Sequence, residues 1–326
     1  MERHRGDPVS APTAAEIRAV GVVGTGVIGA AWVAGFLASG LDVVATDPAD
    51  GAEARLRSYL DETRDLVTEL TGPTVSARGE LRFVATATEA ARDADFVQEN
   101  GPERLDAKGA LLAEIDAAAR RGVIIASSTS GIEPSALQAA CAIDPGRVLV
   151  GHPFNPAHII PLVEVVPGRA TSPETAQAAL DFYRRVGKKP ILVRAEIPGH
   201  VTNRLQAALW REAYSLVDRG VVSVADIDTA ISNGPGLRWA IIGPLTAQHL
   251  SGGEGGMRHL LEHLGPPTQK WMDDLGTPQL TPELAGKLVS GMDDEMVGVD
   301  QTGLVADRDR LLVDIMRLKR ACRNLS

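Results

Sequence analysis

The amino-acid sequence predicts an α/β domain built on a doubly wound, mainly parallel sheet, followed by an all-helical domain. Three observations carry that expectation. Short apolar runs alternate with helical stretches from Ile17 to Arg194. The runs place Val and Ile on both faces, as strands covered on two sides by helices require. Beyond Glu196 the strand signals stop, and nearly everything has helical composition broken by glycine and proline.

Taken in order, IRAVGVVG reads as a buried strand and TGVIGAAWVAGFLASG as the helix after it. LDVVATD is a second strand, and GAEARLRSYLDETRDLVTEL an amphipathic helix. LRFVAT, DFVQEN, GVIIASST, RVLVGH and LVEVV continue the strand series, with helical composition from Arg104 to Arg120 and from Ser135 to Ala142. A helix from Ser172 to Val186 and the strand PILVR complete the first domain. In the second, helix breaks are expected at Gly220, NGPG, GG, GPP and the Gly276 to Pro278 segment. The expected organisation is a flexible arm over 1–16, a sheet domain over 17–195 and a helical domain over 196–326.

At 326 residues the chain is long enough for two domains, and 44% hydrophobic with 23% charged residues reads as globular. The net charge of −9 is spread along the chain, which argues against a nucleic-acid surface. Two distant cysteines, Cys141 and Cys322, suggest neither a disulfide framework nor a zinc site and fit a reducing cytoplasm. The N-terminal segment has no apolar core, so no secretory signal is expected. No apolar run approaches the roughly 18 to 20 residues of a membrane helix.

GVVGTGVIG supplies Gly24, Gly26 and Gly29 in the order GxGxxG, after an apolar strand and at the opening of a helix. Asp47 ends the second strand, 23 residues after Gly24, where a carboxylate accepts hydrogen bonds from ribose hydroxyls. Glycines bring backbone close to a pyrophosphate, and the first helical amides, including those of Val27 and Ile28, stabilise its charge. Together these features indicate a Rossmann-type domain. An acid at Asp47 repels a 2′-phosphate, which favours NAD over NADP.

In VGHPFNPAHIIPLVEVV a turn with His152 precedes an apolar run that holds Glu164. A lone carboxylate in an apolar strand needs a compensating partner. Two adjoining strands joined by FNPAHIIP bring the acid back beside the imidazole. A carboxylate on one ring nitrogen fixes the tautomer and leaves the other nitrogen to take a proton. Such a base meets the need of alcohol oxidation, in which a proton leaves oxygen as hydride leaves carbon. The hydroxyl cluster Ser127 to Ser130 ends the preceding strand, at the sheet edge where substrates bind.

With GVVGTGVIG, VQENGPERLDAK, SSTSG, GHPFNP with LVEVV, and IPGHVTNRL in this order, the chain resembles the 3-hydroxyacyl-CoA dehydrogenase family over nearly its whole length. The resemblance implies that His152 is the general base, Glu164 its partner and Ser130 a hydrogen-bond donor to the substrate oxygen beside the nicotinamide. It gives Asn203 as the polar residue contributed by the helical domain, Glu103 and Lys108 as contacts of the cofactor's nicotinamide half, and Asn155 as a neighbour of its carboxamide. It also implies a homodimer through the helical domain. Read alone, Asn203 passes as a backbone partner near a helix start and Lys108 as a solvated helix charge.

The chain departs from the family in two places. His200 stands where family members commonly have Phe, and the segment from Gly51 to Glu80 is short and has no lysine to attract coenzyme A phosphates, although Arg55, Arg57, Arg64 and Arg78 remain. GPGLRWAIIGPLTAQHLSGGEGGMRHLLEHLGPP resembles the branch that includes L-carnitine dehydrogenase and L-gulonate 3-dehydrogenase (lambda-crystallin), which implies a small free L-3-hydroxy acid as substrate. Arg238 and Trp239 are the candidate contacts for its carboxylate and its tail; an interface ion pair and a core aromatic remain the rival reading. HLLEH, His259 to His263, matches a zinc-peptidase pattern but lacks an identifiable third ligand, so no metal is expected. The competing functions are a CoA-thioester dehydrogenase and a non-catalytic, crystallin-like NAD-binding protein.

Overall fold

The computed structural model describes residues 12–71 and 79–325. Residues 1–11 of the expected arm, and Arg78, lie outside them. Thr13 to Glu16 form a turn whose Ala14 carbonyl accepts from Arg185, as does that of Ile17 at 2.6 Å.

The apolar runs become strands β1 (Ala19–Val23), β2 (Asp42–Thr46), β3 (Leu81–Phe83), β4 (Phe96–Glu99), β5 (Ile124–Ser127), β6 (Val148–Pro153), β7 (Leu162–Pro167) and β8 (Lys189–Leu192). They form one sheet in the order β3-β2-β1-β4-β5-β6-β7-β8. Neighbours are parallel except β6 and β7, which pair as an antiparallel hairpin. The chain reverses its direction of travel across the sheet between β1 and β4, the position where open α/β sheets leave a crevice for ligands.

Six helices lie on this sheet: α1 (Val27–Ala38), α2 (Ala52–Thr71), α3 (Ala87–Arg92), α4 (Leu105–Ala118), α5 (Pro134–Gln138) and α6 (Pro173–Arg185). Strand residues alternate between two cores, as a period of two demands. Val20, Val22, Phe96, Ile124 and Val163 pack with Trp32 and Phe36 of α1, Leu56 of α2, and Phe182 and Tyr183 of α6. Val23, Val97, Ile125 and Val150 pack with Ala90 of α3, Leu112 and Ile115 of α4, and Leu137 of α5. α3 was not singled out from the sequence, although its capping box is legible: Thr86 accepts from the Glu89 amide, and the Glu89 carboxylate accepts from the Thr86 amide. α5 stops at Gln138, short of the expected Ala142.

The loop between β6 and β7 is held from below by Lys188, whose ammonium donates to the Ala157 carbonyl and, at 3.1 Å, to that of Ile160. It also lies 5.3 Å from the Trp32 ring. Burial without an anionic partner pulls this amine down to about 8.

The chain divides into two compact units, one ending at Arg204 and the other beginning at Leu205. The boundary falls beyond the expected Glu196, and residues 200–203 bond to Thr129 and Ser130 after β5 and to Glu164 within β7. The rest is helical: α7 (Thr202–Asp218), α8 (Val224–Ser232), α9 (Pro235–Ile241), α10 (Pro244–Ser251), α11 (Gly256–Asp274), α12 (Pro282–Glu295) and α13 (Gln301–Ala321). Breaks fall as expected at Gly220, NGPG, GG and Gly276 to Pro278, but not at GPP: α11 continues through Pro266 and Pro267. Proline has a helical φ but lacks the N–H that would bond the carbonyl four residues back, so the helix carries two missing bonds here. Gly265, without a Cβ, lessens the clash with the Pro266 ring. Among the described residues no helix is long and apolar enough to cross a membrane.

Candidate active site

The glycine turn is shaped by close approach. Gly24 has φ 87°, and a Cβ there would meet the Asn100 carbonyl oxygen at 2.8 Å. A Cβ on Gly29 would sit 1.8 Å from the Gly24 oxygen, whereas one on Gly26 would enter open space. That opening lies at the N-terminus of α1, which no side chain caps, so the amides of Val27, Ile28 and Gly29 remain for an anion. Thr25 Oγ1 is buried there without a partner. The Asp47 carboxylate accepts from the Thr25 amide at 2.7 Å and the Ala49 amide at 2.9 Å, one on each oxygen. A cradle open at Gly26, an orphaned hydroxyl and an acid at the end of β2 fit a dinucleotide with a free ribose 2′-hydroxyl.

His152 and Glu164 are directly opposed in the β6–β7 hairpin. His152 Nδ1 donates to Glu164 Oε2 at 2.8 Å, with the acid fully buried and the imidazole 5% exposed. None of the described residues bonds His152 Nε2, so its lone pair is left for a proton. Glu164 Oε1 accepts from the amides of Val201 at 3.0 Å and Thr202 at 2.9 Å, and from the Thr202 hydroxyl at 3.2 Å. Burial pushes the Glu164 carboxyl up, but the bonds from His152, Thr202 and Val201 and the charge on His152 outweigh it and hold the group below the usual carboxylate range. Glu164 therefore stays ionised beside its histidine.

The turn after β5 is pinned from two directions. Glu103 Oε1 accepts from the Thr129 hydroxyl at 2.5 Å and the Ser130 amide at 2.8 Å. From the other side, Asn203 Nδ2 donates to the Ser130 carbonyl at 3.0 Å, and His200 Nε2 to the Thr129 carbonyl at 3.3 Å. Of the four hydroxyl residues in SSTS, Ser127 and Thr129 are buried, Ser128 is half-buried and Ser130 is exposed. Only Ser130 is thus presented to a substrate. The backbone bond expected for Asn203 is present, but to a residue 73 positions away rather than to its own helix.

Lys108 corrects one of its sequence readings. It is 1% exposed, so it is not the solvated charge it passes for when read alone. Its ammonium donates to Glu99 at 3.1 and 3.2 Å and to the Gly101 carbonyl at 2.9 Å, and lies 3.6 Å from Glu103. It thus compensates the buried Glu99 charge and lies beside Glu103 at the rim. Glu99 was missed, although it is an acid ending an apolar strand, the same signal that marked Glu164. Its Oε2 accepts from Ser127 Oγ at 2.5 Å. Also unforeseen is the network beneath this rim, in which Tyr183 donates to Gln98, and Gln98 and Trp32 both donate to Ser128 Oγ.

His200 is buried against the base, its ring 5.4 Å from that of His152, and its φ of 51° is left-handed. Burial pulls its imidazole below the usual range. Asn155 is exposed in the loop after β6. Arg238 and Trp239 are exposed on α9, in the second unit. The His259 and His263 rings lie 4.0 Å apart and tilted by 46° on α11, with His263 Nδ1 donating to the His259 carbonyl at 3.0 Å. Among the described residues no group of three or more His, Cys, Asp or Glu is arranged to hold a metal ion.

Residues 19–197 match the family model of the 3-hydroxyacyl-CoA dehydrogenase NAD binding domain, and residues 199–287 that of the 3-hydroxyacyl-CoA dehydrogenase C-terminal domain. An L-carnitine dehydrogenase of Nocardiopsis dassonvillei is 48% identical over 301 residues, which cover 92% of this chain and 91% of that one. A 3-hydroxyacyl-CoA dehydrogenase of Gibberella moniliformis is 44% identical over 315 residues, 95% and 98% of the two chains. Among solved structures, 5-formyl-3-hydroxy-2-methylpyridine-4-carboxylic acid 5-dehydrogenase, an NAD+-dependent dismutase, has a TM-score of 0.80 at 32% identity and covers 93% of this chain and 98% of that one.

Proposed function

The chain belongs to the 3-hydroxyacyl-CoA dehydrogenase family, and we propose that it oxidises the 3-hydroxyl of a small free L-3-hydroxy acid, of the L-carnitine type, to the 3-keto acid. It is an NAD-dependent oxidoreductase acting on CH–OH groups. The observation that carries its chemistry is the 2.8 Å bond from His152 to a fully buried Glu164, with Nε2 left open.

In this reading the substrate hydroxyl lies between the exposed Ser130 hydroxyl and His152 Nε2. Bound NAD supplies the hydride acceptor. Ser130 orients the oxygen, and His152 takes its proton as the carbonyl forms. Glu164 stabilises the resulting imidazolium and keeps Nδ1 protonated, so the base always offers Nε2. A base of this kind is worth about 10²- to 10⁴-fold, roughly 3 to 5 kcal/mol of barrier.

The free-acid preference rests on the named L-carnitine dehydrogenase relative and on the fact that the dismutase, by its name, acts on a small free acid. It also rests on how little α2 offers to a coenzyme A tail. Arg57 pairs with Glu53, Arg64 with Asp61, and Arg55 bonds the Asp50 carbonyl. Arg238 and Trp239 are the proposed contacts for carboxylate and tail. The thioester reading is favoured by the Gibberella moniliformis relative. The functional form we propose is a cytoplasmic homodimer joined through the helical unit, whose helices expose many large apolar side chains.

NADH formation separates these readings. With L-carnitine, L-gulonate or L-3-hydroxybutyrate, at least one acid is expected to give a kcat/KM about tenfold or more above that of L-3-hydroxybutyryl-CoA. A preference for the thioester overturns the free-acid assignment, and turnover of none of them supports a non-catalytic, crystallin-like use of the fold.

A further inference from the structure

The Glu164 oxygen that His152 does not use is taken up by the start of α7. The amides of Val201 and Thr202 and the Thr202 hydroxyl all donate to Oε1, at 3.0, 2.9 and 3.2 Å. Two successive left-handed residues, Gly199 (φ 74°) and His200 (φ 51°), precede this turn and give the chain the bend that presents those donors. A carboxylate bonded to a helix N-terminus has its charge drawn toward that end. Charge drawn to Oε1 supports an imidazolium at Oε2 less well.

Resting on the reading of His152 as the base, we propose that Thr202 is a positioning residue whose hydroxyl withdraws charge from Glu164 and so sets the pH at which His152 becomes free to accept a proton. The two amides belong to the backbone and are always present. The hydroxyl is the adjustable donor, and among the described residues its one hydrogen bond is to Glu164. Among the described residues His200 also faces the pair, 5.4 Å from His152, and Glu103 acts electrostatically on His200. His200 is bonded to the Thr129 carbonyl, and Glu103 is occupied by Thr129, Ser130 and Gly131. Neither donates to Glu164, so Thr202 can be changed without disturbing them.

Thr202→Val removes the hydroxyl at nearly constant volume, and Thr202→Ser keeps it. The His152 imidazole is followed by NMR titration of the histidine-labelled full-length protein, and the acid limb of kcat/KM is measured with NAD and L-carnitine. In Thr202→Val the His152 midpoint is expected about half a pH unit above wild type, with the acid limb moving in parallel, and Thr202→Ser returns both. A merely structural role for Thr202 would lower stability and leave the midpoint in place. Identical midpoints in all three proteins, or a lower one in Thr202→Val, overturn the proposal. A raised midpoint without oxidation of L-carnitine at any pH upholds the electrostatic effect and removes the functional reading beneath it.

Discussion

Glu164→Gln is the smallest change that separates charge from shape at this site. The carboxamide can still accept from Val201 and Thr202 through its oxygen. Its NH2 then faces His152 Nδ1, which favours the tautomer with the proton on Nε2, the wrong one for a base. Turnover is expected to fall by about 10²-fold or more with little change in fold. Stability adds a pH signature. The folded carboxyl lies below its ordinary range, so its contribution is complete above the unfolded titration near about 4.3 and is lost as pH falls through the lower folded value. Thermal melts should therefore show a gap between wild type and Glu164→Gln at pH 7 that narrows toward pH 3. A gap that stays constant or widens on acidification would mean the carboxylate is not held ionised. The histidine and its acid were legible because a charge in an apolar strand demands a partner. Lys108 was not, because sequence cannot show that its helix faces Glu99.

Among the elements, the glycine turn and the alternating strands were readable because each follows from local geometry. A GxGxxG segment between a strand and a helix has few other uses, and period-two burial on both faces marks a covered sheet. The passage of α11 through Pro266 and Pro267 was not, since consecutive prolines ordinarily end a helix. The helices of the second unit show a different imbalance. Among their described residues only Ala247, Leu284 and Val313 are buried hydrophobics, whereas Trp210 is 46% exposed, Trp271 64%, Met272 58% and Leu311 60%. Surface of that kind is normally covered, and a second copy of the chain is the partner we expect. Light scattering on the purified protein should return twice the chain mass at micromolar concentration. A monomer would show that these faces do not mediate self-association.

At the scale of the whole molecule, the site is collected along one edge of the sheet. Gly24 follows β1, Asp47 follows β2, Glu99 ends β4, Ser130 follows β5, and His152 and Glu164 face each other in the β6–β7 hairpin. In the proposed mechanism, holding a dinucleotide and accepting a proton fall to different strands, with the turn after β5 between them. The sequence order of motifs made this arrangement predictable, whereas the bonds from residues 200–203 to the turn after β5 and to Glu164 of β7 are long-range and only coordinates reveal them. Separate locations imply separable losses. The direct test is His152→Ala, assayed for L-carnitine oxidation and, by titration calorimetry, for NAD affinity. The account predicts that kcat falls by about 10²- to 10⁴-fold while NAD binds nearly as in wild type. Retained turnover, or a loss of NAD binding that accounts for the lost activity, would contradict it.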